Sequence, residues 1–179
     1  MTIWAFYPAL MATLLSVIGL SRIAFKYHDK QQPRTLSELA AAQEPLLNRF
    51  RTILWICGTL FALTVYGYIC PRIDHAALLI TAWTLTYVGN LLAAVIPARD
   101  KKLKLHNICA QAMGIGMVVM TYWFWLNLHS VYAGIEAGIS LAMTLLVVLT
   151  FADRSRYIFY ELSFIFLSHA SILVAVFAL

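Results

Sequence analysis

Six long apolar runs constrain the fold of this 179-residue chain more than any other feature of its sequence. A helix needs about 20 mainly apolar residues to cross the hydrocarbon core of a bilayer. Runs of that length occupy residues 3–25, 52–70, 76–97, 107–128, 131–151 and 157–179. The charged fraction is 12%, whereas soluble domains usually carry about 25%. The sequence therefore predicts an all-α integral membrane protein, a polytopic bundle of six transmembrane helices in one domain, residues 1–179.

The distribution of Lys and Arg predicts the orientation of the bundle, because basic residues close to spans are retained on the cytoplasmic side. All but Arg72 flank alternate connections: the first (Arg22, Lys26, Lys30, Arg34, Arg49, Arg51), the third (Arg99, Lys101, Lys102, Lys104) and the fifth (Arg154, Arg156). We therefore expect these connections in the cytoplasm and both termini outside, with the protein in the plasma (inner) membrane. Topology and anionic lipid headgroups account for the net charge of +5, so no nucleic-acid partner is expected.

The first connection contains a helix-start pattern. Thr35 is a good N-cap residue, and Glu38 follows three positions later, which is the spacing of a capping box. The pattern predicts a short cytoplasmic surface helix over residues 36–43 whose apolar face lies on the membrane or on the cytoplasmic mouth of the bundle. The helix could be a simple connector between two spans or a flap over a cavity.

Small residues suggest where spans approach each other, since helices in lipid pack closely where side chains are small. The fifth span carries Gly134 and Gly138 at GxxxG spacing, and the fourth carries two pairs at the same interval, Ala110 with Gly114 and Ala112 with Gly116. We expect close helix contacts at these positions within the bundle. The pattern leaves open a homodimer through Gly134 and Gly138.

The last span contains polar residues along one face. Helical periodicity groups Glu161, Ser168 and His169 in one stripe, with Glu161 near the cytoplasmic boundary and His169 near the bilayer centre. Ionisable groups within a span usually face the bundle interior or a wet cavity. Each residue also has a purely structural interpretation. Glu161 could be buried only to hold two helices together, and His169 could pack in the interior without binding a ligand. Glu136, in the fifth span, stands apart on the outer side.

Other polar residues belong to the same cytoplasmic half as Glu161. His106 opens the fourth span at a depth similar to that of Glu161, so we expect the two side chains to meet. They are the candidate catalytic residues: in an enzyme, His106 would be the base and Glu161 the acid or the group that orients His106. The candidate ligand-binding residues around them are Ser37, Glu38, Asn90, Asn107, Gln111, Ser168 and His169.

Several established chemistries lack their sequence signatures. The five histidines offer no pair at matching depth for a bis-histidine haem, and HExxH, CxxC and Gly-rich phosphate loops are missing from the sequence. We therefore expect no cofactor and no metal.

Three stretches resemble a superfamily of six-span proteins: residues 34–73, 89–114 and 157–177. The superfamily comprises the FGF-receptor-activating protein, the damage-regulated autophagy modulators, the yeast Sfk lipid-asymmetry protein and related uncharacterised bacterial membrane proteins. Ser37 with Glu38, His106 and Glu161 stand at its "IS-acidic", His and Glu positions, although Leu36 replaces the usual Ile. The resemblance implies lipid-associated work, and the family's first connection is generally drawn on the extracytoplasmic side.

Membrane lipids are thus the expected partners, and three functions stay open. The first is a lipid-associated membrane protein with a cytoplasm-facing polar cavity that binds or modulates lipids. The second is a membrane-embedded enzyme that acts on lipid headgroup or acyl bonds. The third is a small transporter or oligomeric pore.

Overall fold

The computed structural model describes residues 3–27 and 35–179. Lys30 and Arg34 of the first connection lie outside these residues. The α-helices are α1 (Ile3–Tyr27), α2 (Leu36–Ala41), α3 (Glu44–Thr64), α4 (Ala77–Val95), α5 (Leu103–Asn127), α6 (Ser130–Ala152) and α7 (Tyr157–Ala178). A π-helical turn, Val65–Ile69, and a 3-10 turn, Cys70–Arg72, continue α3.

The helices confirm the six predicted spans by length and composition: all except α2 are long and apolar enough to cross a membrane. The main difference is the start of α3, which begins at Glu44, eight residues before the apolar run. Pro45 lies in its first turn, where a missing N–H costs no intrahelical bond. Hydropathy missed this part of the helix because Asn48, Arg49 and Arg51 interrupt it.

The six long helices form a ring. Following contacts around it, the order is α1, α3, α4, α5, α6 and α7, and α7 packs against α1 to close it. The largest apolar cluster fills the space among α1, α3, α4, α5 and α7. In contrast, α6 lies to one side and packs on α5 and α7 through a smaller cluster around Met117, Ile139 and Met143.

The closest helix contact is between α4 and α5, and two glycines permit it. A Cβ on Gly89 would lie 2.8 Å from the Cys109 carbonyl oxygen, and one on Gly116 would lie 2.5 Å from the Ala82 carbonyl oxygen. Gly116 therefore makes the close contact that its spacing predicted. The expectation of close contacts within the bundle is wrong for Gly114 of α5 and for Gly134 and Gly138 of α6, because a Cβ on any of the three would meet nothing within 4 Å. A homodimer through Gly134 and Gly138 stays a prediction.

The short helix α2 exists, but its predicted surface position is not confirmed. Thr35 and Glu38 form the expected capping box, with Thr35 Oγ1 accepting from the Glu38 N–H and Glu38 Oε2 accepting from the Thr35 N–H. Five of the six residues in α2 are buried, because the helix packs among α1, α3 and α7. It therefore closes one end of the ring.

Candidate functional site

A small cavity lies inside the ring, about halfway along the helices. Its volume is about 50 Å³, enough for a few water molecules. The walls come from α1, α3, α4, α5 and α7, and they are mostly apolar. Three of the predicted ligand-binding residues, Asn90, Ser168 and His169, line it together.

Two buried nitrogen atoms in the cavity wall have no hydrogen-bond partner among the described residues. They are His169 Nδ1 and Trp83 Nε1, on side chains that are largely buried. The His169 ring packs against Phe61, with ring centroids 4.5 Å apart. An unpaired buried polar group costs about 1–3 kcal/mol. These two nitrogens are therefore the groups that a small polar molecule in the cavity would contact.

Asn90 has a structural partner as well as a place in the cavity wall. Its Nδ2 donates to the Leu54 carbonyl oxygen at 3.0 Å, which ties α4 to α3. Gly58 makes room for the amide, since a Cβ there would lie 2.7 Å from Asn90 Nδ2. Asn90 therefore links two helices and also lines the cavity.

A second polar cluster surrounds the start of α2. Glu161 Oε2 accepts a hydrogen bond from the Leu36 N–H at 2.7 Å, and the hydroxyls of Ser37 and Thr35 lie 3.0 Å apart. The structure thus brings Glu161 together with Ser37 and Glu38, as the sequence indicated. The bond satisfies one of the free N–H groups at a helix start, so it attaches α2 to α7.

His106 is bound elsewhere, which corrects the expectation that it meets Glu161. Its Nδ1 lies 2.6 Å from the Ile96 carbonyl oxygen, so the ring donates its proton to the backbone just beyond α4. The side chain is buried there and holds the α4–α5 connection. No hydrogen bond joins His106 to Glu161, and each already uses a backbone partner. The expected acid–base pair is therefore not formed.

Asn107 and Gln111 also fall outside both clusters. Both side chains are exposed on α5, whereas His106 is buried. Successive residues of an α-helix are rotated by about 100° around its axis, so Asn107 and Gln111 point in directions different from that of His106. The prediction that they belong to a polar cluster with Glu161 is wrong.

Glu136 belongs to none of the predicted sites, yet its side chain lies inside the bundle. Its side chain is fully buried, and Oε2 accepts a hydrogen bond from Ser171 Oγ at 2.7 Å. The other oxygen, Oε1, and the nearby Ser140 Oγ have no partner among the described residues. A glutamate in the middle of an apolar span was the signal that could have identified this cluster.

A third feature is a groove of about 500 Å³ on the outer surface between α3 and α4. Arg51 lies in it and donates from Nε to the Ala94 carbonyl oxygen at 2.8 Å and from Nη2 to the Val95 carbonyl oxygen at 3.2 Å. The remaining walls are Thr52, Trp55 and Ile56.

Within residues 3–27 and 35–179, no three side chains of His, Cys, Asp or Glu gather in a group that could hold a metal ion. No family model, curated protein or solved structure matches the chain. The resemblance to the six-span superfamily therefore stays a prediction.

Proposed function

We propose that this protein is a lipid-associated integral membrane protein and that it binds an anionic phospholipid in the groove between α3 and α4. The observation that carries the proposal is the position of Arg51, a cationic side chain in a groove whose other walls are mostly apolar. A phospholipid has the matching chemistry, with a phosphate at one end and acyl chains at the other.

Arg51 supports a contact with the phosphate. Its bonds to the Ala94 and Val95 carbonyl oxygens put the guanidinium beside the last residues of α4, where the span ends. A guanidinium has more N–H donors than these bonds use, and its planar fork suits phosphate oxygens. The free carbonyls at a helix end also favour a cation there, so Arg51 is held in place before a lipid binds.

The walls of the groove support contacts with acyl chains. Trp55 and Ile56 follow Arg51 by about one helical turn, and both are exposed, as is Val95 across the groove. A Trp with one apolar face and one N–H is common where headgroups meet acyl chains. The order of these residues thus matches the order of groups in a phospholipid.

The charge of this end of the protein favours anionic over neutral lipids. Exposed basic residues on the next connection and at the start of α5 attract anionic headgroups; they are Lys101, Lys102 and Lys104. Arg99 adds an ion pair with Glu44 at 2.8 Å, which joins the start of α3 to the segment after α4. The two walls of the groove are therefore linked at its charged end.

Native mass spectrometry of the purified full chain tests the proposal, with phosphatidylglycerol and phosphatidylcholine as the two added lipids. We expect one phosphatidylglycerol to bind in preference, and Arg51→Gln to weaken it by about tenfold or more, because a hydrogen bond to a charged group contributes about 1.5–3 kcal/mol. Arg49→Gln is the matched control, since it removes the same charge from an exposed position outside the groove.

A second variant separates lipid binding from the structural role of Arg51. Trp55→Ala alters the acyl wall and leaves the bonds of Arg51 to α4 in place, so it should weaken the same lipid without lowering the melting temperature in lipid-free detergent. Equal phosphatidylglycerol binding by wild type, Arg51→Gln and Trp55→Ala would contradict the proposal.

A further inference from the structure

The cluster around Glu136 is separate from the lipid groove and involves two helices. Glu136 and Ser140 are one turn apart on α6, and Ser171 reaches them from α7. All three side chains are completely buried. Since Glu136 lies about 9 Å along α6 from Ser130, the cluster is well inside the span.

Glu136 forms no ion pair with any residue that the structure describes. The ion pairs found among residues 3–27 and 35–179 join Arg99 to Glu44 and Arg156 to Asp153, and neither involves Glu136. A charged side chain at the centre of a span costs at least about 2.5–3.5 kcal/mol. The carboxyl group must therefore carry a proton or be neutralised by a bound cation.

The free atoms of the cluster all suit a small cation. Glu136 Oε1 and Ser140 Oγ are buried and have no hydrogen-bond partner among the described residues. Together with Glu136 Oε2 and Ser171 Oγ they provide oxygen atoms only, which are the ligands that hard cations prefer. One unpaired carboxylate matches a single positive charge.

We propose that Glu136, Ser140 and Ser171 form a binding site within the membrane for one monovalent positive charge, a proton or Na⁺. The proposal does not rest on lipid binding, because it uses other residues on other helices. It assigns to α6 and α7 a chemical role of the kind that intramembrane carboxyl groups have in ion and proton carriers.

Other titratable groups on the elements packed around Glu136 do not neutralise it. Those of α5, α6 and α7 are Lys104, His106, Cys109, Tyr122, Tyr132, Tyr157, Tyr160, Glu161 and His169. The connections next to these helices add Arg99, Asp100, Lys101, Lys102, His129, Asp153, Arg154 and Arg156. The hydrogen bond to the Glu136 carboxyl group comes from Ser171 instead. A change in the protonation of this carboxyl group can thus be assigned to Glu136 with the variant Glu136→Gln.

Infrared difference spectroscopy tests the proposal on the full chain reconstituted in phosphatidylcholine vesicles. The carbonyl stretch of a protonated carboxylic acid should be present at low pH in Na⁺-free buffer and be lost in Glu136→Gln. For a proton site, the band disappears as pH rises and is unaffected by NaCl. For a Na⁺ site, added NaCl removes the band at constant pH, whereas choline chloride does not.

Glu161→Gln is the control for the other buried carboxyl group, and it should leave the Glu136 band in place. Ser171→Ala provides a second variant if Glu136→Gln does not fold. It removes the hydrogen bond to Oε2, so the carbonyl band should shift to higher frequency. A Glu136 band that responds to neither pH nor NaCl would show a permanently neutral structural group and overturn the proposal. The proposal also fails if no band depends on Glu136 or Ser171 and NaCl has no effect.

Discussion

At the scale of single residues, glycine positions on α5 differ sharply in their surroundings. A Cβ on Gly116 would collide with Thr86 and with the backbone of α4, whereas one on Gly114 would meet nothing within 4 Å. The two residues belong to the same helix and are two positions apart, so they face different directions.

We expect Gly116→Ala to destabilise the bundle by about 1–3 kcal/mol, because the added methyl group forces α4 away from α5. Gly114→Ala is the control, and it should be neutral or stabilising, since Ala favours helix more than Gly does. Thermal unfolding in detergent measures both. Equal melting temperatures for the two variants would contradict the close contact.

Asp153, between α6 and α7, shows an effect of local hydrogen bonds on a carboxyl group outside the spans. Ser155 donates to it from Oγ at 2.5 Å and from the backbone N–H at 2.9 Å. These bonds favour the charged form and hold the pKa of Asp153 below its ordinary value of 3.8, with a smaller contribution from Arg156.

The pH dependence follows from the sign of this shift. Because the folded pKa is lowered, the stabilisation by Asp153 is fully present above pH 3.8 and is lost as pH falls through the folded pKa. We expect Ser155→Ala to raise the pKa of Asp153 toward its ordinary value, measured by NMR titration of the side chain carboxyl. An unchanged titration would show that Ser155 does not bind Asp153 in solution.

At the scale of elements, α2 depends on contacts with residues far from it in sequence. Its capping box is local, but the Leu36 N–H is satisfied by Glu161 from the last helix. A helix of only six residues is unstable alone in water. Burial among α1, α3 and α7 is therefore what stabilises it.

Glu161→Leu should release α2, because it leaves the Leu36 N–H without a partner. Hydrogen exchange of that amide should become roughly tenfold faster or more, in line with the loss of a hydrogen bond to a charged or polar acceptor. Glu161→Gln keeps an acceptor oxygen and is the matched control. If Glu161→Leu exchanges at the wild-type rate, α2 is held by its apolar contacts alone.

At the scale of the whole molecule, the ring of six helices places connections alternately at its two ends. The basic residues predict which end faces the cytoplasm. After replacement of Cys57, Cys70 and Cys109, we expect Asp74→Cys and Ser130→Cys to react with a membrane-impermeant maleimide in intact cells. Lys102→Cys should react only after the membrane is permeabilised. The reverse pattern would contradict the predicted orientation and match the way the resembled family is drawn.

The sequence by itself determined the number of spans and the local capping of α2. Both are properties of neighbouring residues: hydrophobicity is summed along a run, and a capping box joins Thr35 to a residue three positions away. Ser37 and Glu38 could likewise be placed together, because they are neighbours in the same short connection.

Only the tertiary structure decided which face of each helix points inward. Gly134 and Gly138 face outward because Glu136, two residues from each and about 200° around the helix, is buried against Ser171. The rotation of α5 likewise explains why Asn107 and Gln111 lie outside the predicted cluster. His106 faces the Ile96 carbonyl oxygen, and the other two side chains are exposed. Hydropathy is nearly uniform around such helices, so their rotation depends on contacts between distant segments that no local pattern records.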